Sequence, residues 1–198
     1  MKTSTILNAA ISSVLLLSLS AVQAGETQPG DQYTGNISGY LGQKTLDDND
    51  WSPLDKQGSL GVIFDFKKES WPVSIVVDLM VSGDIEENGL LKDEAGTLET
   101  HLGARKIFEL SNSSFQPYIG GGVSLVTASM EHKINGNRIS KSDDSATGYW
   151  VGTGMYYAVN NSFNLGFDVR YSQADVTLFD VERKAGGMHT GITAGYHW

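Results

Sequence analysis

From residue 163 the chain reads FNLGFDVRYS. Phe163, Leu165, Phe167, Val169 and Tyr171 share one parity; Asn164, Gly166, Asp168, Arg170 and Ser172 share the other. Successive side chains of a β-strand point to opposite faces, so this strict period of two reads as a strand and leaves no helical alternative. The pattern recurs along most of the chain. Val73, Ile75, Val77, Leu79 and Val81 oppose Ser74, Val76, Asp78, Met80 and Ser82; Leu60, Val62, Phe64 and Phe66 oppose Gly61, Ile63 and Asp65. Leu98, Leu102 and Ala104 oppose Glu99, His101, Gly103 and Arg105. Alternation continues through PYIGGGVSLV from Pro117, through Tyr149, Val151, Met155 and Tyr157, and through MHTGITAGYHW, where Met188, Ile192, Tyr196 and Trp198 share a face. It is weaker around Tyr33, Ile37 and Leu41.

These stretches predict eight strands over 31–44, 58–67, 72–83, 97–109, 115–131, 146–158, 162–174 and 187–198. They are longer than the usual strand of about 5–6 residues and long enough for the 9–11 residues of a tilted membrane crossing. Connections 45–57, 84–96, 132–145 and 175–186 are long; 68–71, 110–114 and 159–161 are short. Alternating tight turns and long loops with an even strand count are the signature of a transmembrane barrel. The faces agree. One carries rings and aliphatics, while the other carries Asp65, Asp78, Glu99, His101, Arg105, Asp168, Arg170 and many glycines. A soluble sandwich would bury its apolar face between sheets. Charges spaced through the middle of several strands fit a polar lumen with lipid outside. The fold expected is therefore all-β: an eight-stranded antiparallel up-and-down transmembrane barrel.

The first residues set the compartment. Lys2 is the only charge before Glu26, an apolar run spans Ile6 to Val22, and Val22-Gln23-Ala24 offers small residues where a signal peptidase reads. The run is broken by serines and short of the roughly 20 residues of a spanning helix, so 1–24 reads as a cleaved signal peptide and 25–198 as one barrel domain. The formal charge of −9 removes the electrostatic case for nucleic acid. With no cysteine there is no disulfide framework and no thiolate chemistry.

PYIGGGVSL at 117–125 is similar to a mid-barrel stretch of the OmpA/OmpX-type eight-stranded outer-membrane barrels, and GITAGYHW resembles the last strand of that superfamily. The resemblance implies residence in the outer membrane of a Gram-negative bacterium, among outer-membrane lipids and lipopolysaccharide. It implies recognition of Tyr196 and Trp198 by the insertion machinery; Trp198 departs from the usual phenylalanine. A monomer is expected, with the termini and tight turns in the periplasm and the four long loops outside. Tyr33, Tyr149, Tyr157 and Tyr171 are expected in the aromatic girdles at the headgroups, where amphipathic rings are favoured.

The interior of an eight-stranded barrel is just filled by side chains. Asp65, Asp78, Glu99, His101, Arg105, Asp168 and Arg170 are expected to pair there as a plug. Two arginines among four acids would make any pore lean towards cations. A lipid-modifying enzyme is the rival class: Ser172, Asp175 and His189 are the residue types for it. His189 is followed by Thr190, however, where the lipid A deacylase family would supply a serine. No cofactor or metal is expected. The acidic loops lack the spacing and glycine of a calcium loop. Trp51 reads as an exposed ring, and Asn135-Gly136 as the turn of a hairpin rising past the membrane. The expected role is non-enzymatic, in envelope integrity or surface interaction through the loops.

Overall fold

A computed structural model of the chain describes residues 32–111 and 113–198; the signal peptide expected over 1–24 lies outside them. Alternation does the first work. Each long run of period two becomes one strand, and eight of them pair into a closed ring: β1 (Tyr33–Thr45), β2 (Lys56–Lys68), β3 (Ser74–Asn88), β4 (Leu91–Ile107), β5 (Phe115–Ile134), β6 (Asn137–Ala158), β7 (Phe163–Gln173) and β10 (Gly187–His197). Three short elements sit in the connections: helix α1 (Asp48–Trp51) and the hairpin β8 (Asp175–Leu178) and β9 (Val181–Lys184). The first and last strands close the ring, in register from Asn36↔His197 to Thr45↔Met188. Closure satisfies the edge amides that lipid cannot solvate, each of which would cost several kcal/mol if left open.

The sheet is therefore an all-antiparallel, eight-stranded up-and-down barrel, as the alternation predicts. The strand limits differ from expectation at one end. β3 and β4 run on to Asn88↔Leu91, and β5 and β6 to Ile134↔Asn137, so most of the expected loops 84–96 and 132–145 are strand. Two-residue connections make this feasible. Gly89 has φ 66, and Asn135 and Gly136 have φ 51 and 78, the positive values that tight hairpins require. The alternation is faint there because both faces meet water, so no hydrophobic period marks the strand. The Asn-Gly hairpin stands where the sequence puts it.

The two faces separate cleanly. Leu41, Leu60, Leu102, Ile119, Val123, Val151, Leu165 and Ile192 are each more than half exposed, all on the outer face. An apolar belt of this extent would be untenable on a soluble monomer. The inner face is filled by Tyr40, Ile63, Met80, Tyr118, Trp150 and Tyr156 together with the polar groups described below, all buried. Glycines make room for these rings. A Cβ on Gly191 would collide with Tyr40, and one on Gly103 with Trp150.

Candidate functional site: the lumen network and its cover

Because lumen positions recur every second residue on every strand, polar groups from different strands meet at the same depth. Three linked clusters result. Nearest the tight turns, Arg105 Nη1 donates to Tyr156 Oη (2.5 Å) and to Asp65 Oδ2 (3.2 Å), and its guanidinium lies 4.2 Å from the centroid of the Tyr118 ring. At mid-depth Arg170 binds Asp168 with two parallel bonds, Nε to Oδ1 (2.8 Å) and Nη2 to Oδ2 (2.9 Å), and also donates to Asp78. Tyr118 Oη donates to the same Asp168 (2.6 Å), joining the first two clusters. Nearest the long loops, Glu99 accepts from Lys44 Nζ at 2.5 Å and lies 2.9 Å from His189 Nε2 and 3.0 Å from His101 Nε2. His101 Nδ1 is 3.2 Å from Arg170 Nη1, so the third cluster joins the second.

All seven lumen candidates of the sequence lie on this face and are at most 2% exposed. The sequence reading missed Lys44, which adds a third cation to Arg105 and Arg170 and leaves them one short of the four carboxylates. The expected two-to-four imbalance is thus reduced. It also missed Tyr40, Tyr118 and Tyr156 as lumen groups. The parity signal was present, since Tyr118 alternates with Ile119 and Lys44 with Leu41; aromatic rings are readily taken for the lipid face. His189, a candidate base, is held by Glu99. Ser172 is buried and accepts from the backbone of Gly187 (3.3 Å), while Asp175 is exposed at the start of β8. Ser172, Asp175 and His189 form no hydrogen bond with one another.

The loop end is a built structure. Leu46, Trp51, Leu54, Val126, Met130, Val176 and Leu178 bury one another in an apolar cluster above the polar lumen. This corrects the expectation for Trp51: it is 1% exposed, and its indole N–H donates to Lys184 O (2.7 Å). The local cause is α1, a single turn capped by Asp47 that points the ring inward. The hairpin β8–β9 lies over the same cluster. Outside the membrane-spanning segments, the Lys184 ammonium and then Asn49 hold the Asp47 carboxyl below its ordinary pKa. Asp144 is lowered chiefly by the backbone N–H of Thr177, and Glu131 chiefly by Arg138.

The girdle candidates Tyr33, Tyr149, Tyr157 and Tyr171 all point outward and are 41–52% exposed. Tyr33 and Tyr157 lie at the turn end, Tyr149 and Tyr171 towards the loops. At the seam, Trp198 stacks on Phe64 and Tyr196 (6.2 Å in each case), and its backbone exchanges two hydrogen bonds with Gly35 (3.0 and 3.1 Å).

Comparison with known proteins agrees with this geometry. The family model of the outer membrane protein beta-barrel domain matches residues 10–198. The crystal structure of Neisserial surface protein A is similar, at 18% identity over 85% of this chain and 97% of that one, with a TM-score of 0.55. The outer membrane protein OprG from Pseudomonas aeruginosa gives 17% identity over 85% and 97%, with 0.57. Ail, the attachment invasion locus protein of Yersinia pestis, gives 16% over 86% and 100%, with 0.54. At these identities the likeness shows the fold. No curated protein matches the chain in sequence.

Proposed function

Since the chain belongs to the outer membrane protein beta-barrel domain family, we propose that it serves the outer membrane without catalysis, in envelope integrity or surface interaction through the assembly its long loops build. It resides in the outer membrane of a Gram-negative cell, embedded in that membrane's lipids. The loop end faces outward in this reading, and the chain works as a monomer.

One observation carries the proposal. The loops fold with the strand ends beneath them into a head whose apolar core includes Trp51, on a barrel whose interior is packed with side chains. Ordering so many loop residues costs conformational entropy, and a chain that needed only to fill the membrane would gain nothing from it. The Ail barrel has been crystallised with the heparin analogue sucrose octasulfate. The loop end of the barrel is rich in carboxylates (Asp47, Asp48, Asp50, Glu86, Glu87, Asp144), so we do not propose a polyanion as its partner. We assign no catalytic role to Ser172, Asp175 and His189, because His189 is engaged by Glu99 and Ser172 is buried. Tyr196 and Trp198 are proposed as the recognition element for membrane insertion, supported by their outward, stacked rings at the turn end.

The test trims the head. Loops 46–55 and 175–186 are replaced by short Gly-Ser turns, and the variant is expressed in cells lacking the native protein. Heat-modifiability on a denaturing gel checks that the barrel still folds. Loss of surface adhesion or of resistance to detergent and bile salts, with the barrel intact, is the expected outcome. Trimmed cells that match the wild type in both assays overturn the proposal.

A further inference from the structure

The hairpin β8–β9 differs from every other paired element in how it is attached. The barrel strands are joined by backbone ladders on both sides. β8 and β9 pair only with each other, from Asp175↔Lys184 to Leu178↔Val181. Their outer edges are tied to the rest of the protein by side chains. On the β8 side, Thr177 N donates to Asp144 Oδ2 of β6 (2.7 Å), and Phe179 N to Ser142 Oγ (3.1 Å). On the β9 side, Lys184 N donates to Asp50 Oδ2 of α1 (2.9 Å), Lys184 Nζ to Asp47 Oδ2 (2.8 Å), and Arg183 to the backbone oxygen of Asp50. A third tie reaches down. Lys44 Nζ, the cation bound to Glu99 in the lumen, donates to Ala185 O at the foot of β9 (2.7 Å).

We infer that β8–β9 is a separable lid over the barrel mouth, latched along both edges by carboxylates of α1 and β6 and released when those carboxylates take up protons. Three of the five edge contacts named above that involve a side-chain acceptor or donor end on a carboxylate oxygen: Asp144, Asp50 and Asp47. A protonated carboxyl loses its charge assistance to an N–H donor, and charge-assisted bonds are about twice as strong as neutral ones. The lid can leave without breaking a barrel ladder, because no backbone pairing joins it to β6 or β1. The seam is already open to solvent: a cleft between α1 and the hairpin is lined by Asp47, Asp50, Asp175, Glu182, Arg183 and Lys184.

The remaining groups around the lid set the direction of the response. From the hairpin itself come Asp175, Asp180, Glu182, Arg183 and Lys184; from β1, Lys44; from the segment around α1, Asp47, Asp48 and Asp50; from β6, Asp143 and Asp144. From β5 comes His132, whose ring lies 5.3 Å from Phe179 and whose Nδ1 is 2.7 Å from Asp93 on β4. As Asp47 and Asp144 lose their charge in acid while Lys184 stays cationic, the attraction that holds the lid weakens. Asp47 and Asp144 sit below their ordinary pKa in the latched state. The contributions of Asp47 and Asp144 are then complete above the unlatched carboxylate pKa of about 4 and are lost as pH falls through their lower, latched values. Opposing release is the apolar underside: Val176 and Leu178 belong to the same buried cluster as Trp51 and Met130.

The test is amide hydrogen exchange on the full chain folded in detergent micelles, at neutral pH and near pH 3, corrected for the intrinsic rate. The expected result is a gain of at least tenfold in exchange over 175–186 and at the Trp51 indole N–H in acid, with the ladder amides of β7 and β10 unchanged. The double variant Asp50→Ala and Asp144→Ala is expected to exchange over 175–186 at neutral pH as the wild type does in acid, with its barrel still heat-modifiable. The inference is overturned if 175–186 keeps its protection in acid for as long as the β7 and β10 ladders do. It is equally overturned if the folded double variant is as protected as the wild type at neutral pH. Either result leaves the proposed surface role untouched, since the loop-trimming test does not depend on the lid opening.

Discussion

Gly35 has no side chain, and the indole of Trp198 occupies the space where one would stand. A Cβ there must push the ring off Phe64 and away from the β1–β10 seam, so Gly35→Ala is expected to lower stability by about 1–3 kcal/mol, the usual cost of overpacking. The unfolding midpoint in urea, read by the gel shift of unboiled protein, checks this. A midpoint equal to wild type would mean that the ring is free to move aside. Arg170 is the second residue on which much depends. It is fully buried between Asp78 and Asp168, and Arg170→Met removes the cation that both carboxylates share. Removing one partner of a buried ion pair typically costs about 3–5 kcal/mol. Adding Asp78→Asn and Asp168→Asn to the same chain is expected to recover part of that loss, because neutral amides are cheaper to bury than unpaired ions. The same urea titration decides it.

The tower made by the far ends of β3, β4, β5 and β6 stands on ion pairs across its strands. Lys92 reaches Glu87 (3.0 Å) and Glu94 (3.3 Å), Lys133 reaches Glu94 (2.7 Å), and Arg138 reaches Glu131 (2.9 Å). Isolated exposed pairs contribute little, but a connected ladder holds several strands at once. Arg138 and then Lys133 keep Glu131 below its ordinary pKa, so its contribution is present above the unfolded value of about 4.3 and disappears as pH falls through the lower folded value. Amide exchange at the tower tips, around Leu91 and Ile134, is therefore expected to rise in acid ahead of exchange in the belt. Tips that stay protected to the same pH as the belt would show that the backbone ladder alone holds them.

For the molecule as a whole, the filled interior predicts electrical silence. Trp150, Tyr118, Tyr156 and Arg170 occupy the middle of an eight-stranded ring, and none is more than 2% exposed apart from Tyr156 at 3%. At neutral pH the protein in a planar bilayer is expected to show no stable conductance steps, whereas Trp150→Ala combined with Arg170→Ala is expected to give brief openings. Steady conductance by the wild type would contradict the reading of the lumen as a plug.

The barrel was legible before any coordinate was known, because a strand exposed to lipid on one side and to a polar lumen on the other must alternate at period two. The eight strands, their two faces and the inward parity of the charged lumen set follow from that local rule, while the hairpin at Asn135-Gly136 was marked by its turn residues. What the residues do with one another was not legible. Trp51 and Lys184 meet across 133 positions, and Lys44 and Ala185 across 141. Nothing local distinguishes a tryptophan that anchors in headgroups from one that closes an apolar core. Lys44 likewise reads as one more charge at the end of a weak strand until the ring closes and places it over Glu99. Alternation is a property of each strand separately, so the sequence by itself determined the wall. The inward-folded head, the latched hairpin and the partner of each lumen charge depend on which strands become neighbours and how loops cross the mouth, and only the closed tertiary structure decided them.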